Sequence, residues 1–124
     1  MISIFTKLTG MLILGITLLV GAGASANAGA VNGAKQGFYR IHAGYTNSFQ
    51  ISFWAGEKAE VGVIGDGVTN IDLYVYDSYG NLVAWDENVT DKCYVKWLPR
   101  YTETYTIKLV NRGRVYNEYR LLTN

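Results

Sequence analysis

The chain is poor in the residues that carry most protein chemistry. Its 124 residues include one Cys, one His and one Pro. A single cysteine excludes a disulfide framework and a multi-cysteine zinc centre. A single histidine excludes a His-rich metal site. Charge of one sign is equally scarce. The 11 Lys and Arg face 10 Asp and Glu, a net charge of +1, so a strongly basic nucleic-acid binder is excluded. What remains is apolar and aromatic. The 49% hydrophobic content excludes a disordered tail, and ten Tyr with one Pro exclude a low-complexity linker. The length supports one domain at most.

The first residues differ from the rest. Lys7 is the sole charge before Lys35, and the apolar run from Leu8 to Val20 follows it directly. Small residues from Gly21 to Ala28 come next. A positive end, a short apolar core and small side chains are the order of a secretory signal peptide. The run of 13 residues falls short of the roughly 20 that a membrane-spanning helix needs. Residues 1–28 are therefore expected to be removed, with cleavage after Ala26 or Ala28. No membrane span is expected after that. Cleavage after Ala26 leaves 98 residues, of zero net charge, of which 16 are aromatic. A secreted domain of that size without a disulfide has dense ring packing as its available substitute, because each ring buries a large area.

Residues 29–36 are small and polar and read as a flexible lead-in. From there the pattern has period two. Phe49, Ile51 and Phe53 alternate with Gln50 and Ser52, and Ala59, Val61 and Val63 follow before Gly65-Asp66-Gly67. Ile71, Leu73 and Val75 alternate with Asp72, Tyr74 and Tyr76. Ser78-Tyr79-Gly80-Asn81 turns into Leu82 to Trp85, and Tyr94 to Leu98 stops at Pro99. Tyr105, Ile107 and Leu109 alternate with Thr104, Thr106 and Lys108. After Asn111-Arg112-Gly113, Tyr116 to Leu122 closes the chain. With a first strand near Phe38 to Ile41, these segments predict about eight short strands over residues 37–124 and no sustained helix. The fold class is all-β, a jelly-roll-like antiparallel β-sandwich.

No catalytic constellation is present. His42 lacks a nucleophile partner, because Ser48, Ser52 and Ser78 stand in plain strand or turn contexts. Cys93 reads as a small buried hydrophobe, with an intermolecular bridge as the alternative. The chain is expected to be no enzyme. Five carboxylates, Asp66, Asp72, Asp86, Glu87 and Asp91, flank strands whose pairing brings them towards one end of the sandwich. Loop carboxylates suit calcium, although solvated turn aspartates that bond backbone amides are the plainer alternative. No cofactor is required, and calcium is the metal this set would accept. Tyr74 and Tyr76 point away from Leu73 and Val75, onto an outer face. With Trp85 and Tyr94 they form a candidate binding surface for polypeptide or glycan, or else cover the sheet by cross-strand packing. Arg100, Arg112, Arg114 and Arg120 read as solvated edges and turns.

The segments D-L-Y-V-Y-D at Asp72 to Asp77 and G-N-L-V at Gly80 to Val83, followed by Asp86, resemble the bacterial pre-peptidase C-terminal domain family. So do Cys93 to Pro99, Tyr105 to Lys108, Val110 to Gly113 and Val115 to Tyr119. The likeness runs over roughly residues 49–124. It implies a jelly-roll-like sandwich that accompanies an exported enzyme without being catalytic. Related domains in secreted collagenases bind calcium and collagen. Relatives often place Gly before the Y-T-I strand where this chain has Glu103, which implies a different turn geometry. The expected function is a secreted or periplasmic binding or accessory module, monomeric or weakly self-associating. Its partners would be a polypeptide or carbohydrate ligand or an exported enzyme. A structural, self-associating envelope component is the alternative.

Overall fold

A computed structural model describes residues 29–124. The expected signal segment lies outside the described residues. Eight strands run in chain order: β1 Gln36–Ile41, β2 Thr46–Phe53, β3 Ala59–Ile64, β4 Ile71–Tyr76, β5 Leu82–Asp86, β6 Lys92–Trp97, β7 Glu103–Asn111 and β8 Asn117–Thr123. All observed pairings are antiparallel. One sheet has the order β1-β8-β3-β6 and the other β2-β7-β4-β5.

The pairings are nested. The β4–β5 hairpin is the centre, and β3 pairs with β6, β2 with β7 and β1 with β8 around it. Every connection except β4–β5 crosses from one sheet to the other. This is a jelly roll: one long antiparallel ribbon folded over on itself. The period-two pattern explains why it closes. In β4, Ile71, Leu73 and Val75 are fully buried while Tyr74 and Tyr76 stay half-buried on the opposite side. In β7, Tyr105, Ile107 and Leu109 face inward and Thr104 and Lys108 face water. Val61, Val63, Tyr119 and Leu121 meet them from the other sheet. Each such aliphatic side chain removed from water contributes about 1.5–3 kcal/mol.

The crossings sort the loops into two ends. Loops 42–45, 65–70, 87–91 and 112–116 gather at one end, and 54–58, 77–81 and 98–102 at the other. At the second end Phe53, Trp97 and Tyr105 pack edge to face, with centroids 4.9–6.0 Å apart. A second set of rings, Tyr39 against Phe49 and Tyr119 with centroids 4.8 and 5.8 Å apart, packs between β1, β2 and β8. The lead-in is anchored rather than free from its first described residues. Ala30 is buried and bridges Phe53, Val31 N–H donates to Ser52 O at 2.8 Å, and Trp54 N–H donates to Gly29 O at 3.0 Å. Small residues in this segment carry no amphipathic pattern, so nothing local signals this strand-like docking.

Candidate functional site

The outer face of β2-β7-β4-β5 collects the candidate aromatics. Tyr74 is paired across strands with Trp85 on one side and Lys108 on the other, and Lys108 pairs onward with Ser48. The adjacent row is Leu82, Tyr76, Thr106 and Gln50. Trp85 is 56% exposed. Lys108 Nζ stands 5.3 Å from the centroid of the Tyr76 ring, a cation–π distance. Gln50 Nε2 donates to Thr106 Oγ1 at 3.0 Å, and the hydroxyls of Ser52 and Thr104 share a bond of 2.7 Å. A shallow cleft of about 550 Å³ lies here, lined by Gln50, Tyr76, Thr104, Thr106 and Lys108 and by Asp77, Ser78 and Gly80 of the β4–β5 turn.

Both borders of this face are fixed by charged groups. At the polar border Arg112 Nε donates to Asp72 Oδ2 at 2.8 Å, Arg112 Nη2 donates to the Tyr74 hydroxyl at 3.1 Å, and that hydroxyl donates to Glu87 Oε2. The bond to Glu87, then burial, raises the Tyr74 phenol above its ordinary range, while the bond from Arg112 pulls it back. Tyr74 is therefore held as a neutral donor with its ring fixed. At the other border the Asp77 carboxylate accepts from Tyr79 N–H at 2.9 Å and Asn81 N–H at 2.8 Å. These amides, Asn81 first, hold Asp77 below the usual carboxylate range. Gly80 closes the turn at φ +86°, where a side chain would be strained. Glu103 opens β7 and does not adopt positive φ. Its carboxylate instead accepts from the Ser78 N–H and hydroxyl, tying the turn to the sheet.

Of the four aromatic residues expected to share a surface, the structure unites Tyr74, Tyr76 and Trp85 and separates Tyr94. Tyr94 lies on β6 of the other sheet, opposite Gly62, and its hydroxyl donates to Glu60. Burial, then that bond, raises its phenol. Alternation along β6 gives its outward orientation but not which sheet β6 joins. The outer face of this second sheet is charged: Arg40 pairs with Glu118 at 2.8 Å and Arg120 stacks over Phe38 at 5.5 Å. Gln50, Thr104, Thr106 and Lys108 escaped notice in the sequence. The alternation in β2 and β7 that buried their neighbours was the available signal.

The five carboxylates do lie at one end, but as separate hydrogen-bond sets. Asp91 Oδ2 accepts from Gly67 N–H at 2.6 Å and Asn117 Nδ2 at 2.8 Å. Asp66 accepts from Glu118 N–H and Val68 N–H. Asp86 accepts from Asn88 and from Tyr94 N–H. Asp72 and Glu87 belong to the Arg112–Tyr74 chain. Among the described residues no three carboxylate, His or Cys side chains form a group able to hold a metal. His42 lies in the β1–β2 loop against the Tyr45 ring, and Cys93 is buried with its thiol donating to Ile71 O. Arg112 is an exposed turn residue, as expected, and its guanidinium also pairs with Asp72, which is 6% exposed.

No protein family and no curated protein matches the chain in sequence. Likeness appears at the level of the fold. PliG of Aeromonas hydrophila, a periplasmic inhibitor of g-type lysozyme, is 12% identical over 73% of this chain and 86% of its own, with a TM-score of 0.51. The Yersinia pseudotuberculosis-derived mitogen is 13% identical over 74% of this chain and 85% of its own, with a TM-score of 0.50. A de novo designed double-stranded β-helix is 11% identical over 73% of this chain and 99% of its own, with a TM-score of 0.46. Such identities show shared architecture alone. No helix among the described residues is long and apolar enough to cross a membrane.

Proposed function

We propose that the chain is an exported, non-catalytic binding module that presents the outer face of β2-β7-β4-β5 to its ligand. It would act as an accessory to an exported enzyme, the role that membership of the pre-peptidase C-terminal domains would imply. One observation carries the reading. Tyr74, Tyr76 and Trp85 share one sheet face, with Trp85 more than half exposed, beside the hydroxyl and amide side chains of Gln50, Thr104 and Thr106. Rigid aromatic anchors beside adaptable polar groups are the composition of binding surfaces. The signal-like first residues support an address outside the cytoplasm.

The test is retention of the exported chain on immobilised gelatin, cellulose and chitin. Trp85→Ala should lower retention at least tenfold on the matrix that holds the wild type, and Phe38→Ala on the opposite sheet should leave it unchanged. Equal retention by Trp85→Ala and wild type overturns the reading. Phe38, 76% exposed on the edge strand β1, favours a second reading as a self-associating envelope component. A mass that rises with concentration in light scattering, and that Phe38→Ala abolishes, would support it.

A further inference from the structure

We propose that the ligand of this face is an uncharged glycan chain lying across the strands, with its rings on Tyr76 and Trp85 and its hydroxyls on Gln50 and Thr106. The proposal rests on the preceding reading of the face as the binding surface, and deepens it by naming the ligand class.

Charge is the first argument. Lys108 is the cation of the cleft. It makes no ion pair among the described residues and stands over the Tyr76 ring. One ammonium is too little for an acidic polymer, which is held by several cations in register. The Asp77 carboxylate is consumed by the amides of its own turn, and Glu103 by Ser78. A basic partner therefore finds carboxylates already satisfied. The complementary ligand is neutral.

Backbone pairing is the second argument. The cleft floor is β7 and β4, and each is paired on both sides, β7 with β2 and β4, and β4 with β7 and β5. Their amides and carbonyls are committed to the ladders. An extended polypeptide, which gains its affinity by adding a strand to an open edge, finds none on this floor; the open edges of the sheet are β2 and β5, at its borders. Recognition is left to side chains.

Those side chains match a sugar. After Gln50 donates to Thr106 Oγ1, the Gln50 carbonyl oxygen still accepts and the Thr106 hydroxyl still donates. Hydroxyl and amide groups with both donor and acceptor capacity suit ligands dense in hydroxyls. The negative ring faces of Tyr and Trp attract the C–H faces of a pyranose. Four strands span about 14 Å at the usual spacing, so the face has room for a short oligosaccharide rather than a single ring.

Titration calorimetry of the exported chain with cellohexaose, chitohexaose and maltohexaose tests this, with heparin and gelatin as acidic and polypeptide competitors. At least one uncharged hexasaccharide should bind, and Tyr76→Ala and Gln50→Ala should each weaken it at least tenfold. Tyr76→Phe, which keeps the ring, should bind within about threefold of wild type, and Phe38→Ala should match it. Gln50 is exposed, so its variant decides the matter where Tyr76→Ala fails to fold. No binding of any hexasaccharide at millimolar concentration overturns the inference. Gelatin or heparin binding alone, lost in Trp85→Ala, also overturns it, while leaving the reading of the face intact. Hexasaccharide binding that survives Tyr76→Ala, Gln50→Ala and Trp85→Ala overturns both.

Discussion

At one end of the sandwich four loops meet over buried polar side chains; at the other, three loops meet over buried rings. Asn111 and Asn117 are fully buried, and Asp91 is 3% exposed, all at the first end. Asn117 donates to Asp91 and to Thr69 Oγ1, and its Oδ1 accepts from Asp66 N–H. Asn111 donates to Ile41 O and Val115 O and accepts from Gly113 N–H. Each amide thus uses both of its N–H donors and its oxygen. At the second end Phe53, Trp97 and Tyr105 close the core by area and ring geometry. Directional bonds fix loops that have little apolar surface of their own; ring packing fills volume but specifies loop conformation weakly. The two ends should therefore fail differently.

The largest effect should come from the aromatic end. Phe53→Ala leaves a cavity between Trp97 and Tyr105 and is expected to cost about 4 kcal/mol, read as a lowered denaturation midpoint at unchanged slope. Asn117→Ala at the polar end should cost about 3 kcal/mol, because it removes one of two hydrogen bonds to the buried Asp91 carboxylate and the partner of Asp66 N–H and Thr69 Oγ1. Additivity separates the two mechanisms. Asn117→Ala combined with Asp91→Ala should show a coupling of at least about 1 kcal/mol, whereas Asn117→Ala with Phe53→Ala should add to within about 0.5 kcal/mol. A coupling of equal size in both cycles would dissolve the distinction between the ends.

Gly65→Ala probes the polar end from the backbone side. A Cβ at Gly65 would run into the Asp91 carboxylate, which is held in place by Gly67 and Asn117. The expected cost is about 2 kcal/mol from overpacking. In the Asp91→Ala background most of that cost should vanish. If it persists, the network does not fix the position of Asp91.

Alkali compares the ends through their tyrosines. Burial raises the Tyr105 phenol at the aromatic end. On the polar side, burial pushes Tyr119 up to about 12, against a hydrogen bond from Asn47 that lowers it. A raised value means the folded state holds the proton more tightly. That stability is complete below about pH 10, the unfolded tyrosine value, and is lost as pH rises towards 12. Between these limits the melting temperature of Tyr119→Phe should fall less steeply than that of the wild type. Parallel curves would show that ionisation of Tyr119 is not what alkali reads.

The sequence exposed the aromatic end better than the polar one. Phe53, Trp97 and Tyr105 announce their burial by residue type and by alternation, and all eight strands were legible on the same grounds. Asp91, Asn111 and Asn117 sit at strand ends, where polar residues ordinarily meet water. Nothing local distinguishes a solvated loop aspartate from one buried by three loops folding over it. The same limit divided the aromatic surface expected from the sequence. Tyr94 alternates as Tyr74 does, yet β6 crosses to the other sheet, and sheet membership is set by pairings far away in the chain. Arg112 and Asp72, forty residues apart, were unreadable as a pair for that reason.

Trp85→Ala should have the smallest effect on stability. Its ring is more than half exposed and its cross-strand neighbour Tyr74 is independently held by Glu87 and Arg112. Losing one cross-strand contact on a solvated face costs about 0.5 kcal/mol, a shift in midpoint near the limit of detection. Neither end of the sandwich depends on this residue, since both closures lie on the inner side of the sheets. A tenfold loss of retention with an unmoved melting curve would therefore separate binding from folding at a single side chain. A melting curve displaced as far as that of Asn117→Ala would instead make the aromatic face a third structural closure, and the ring cluster a cover for the sheet.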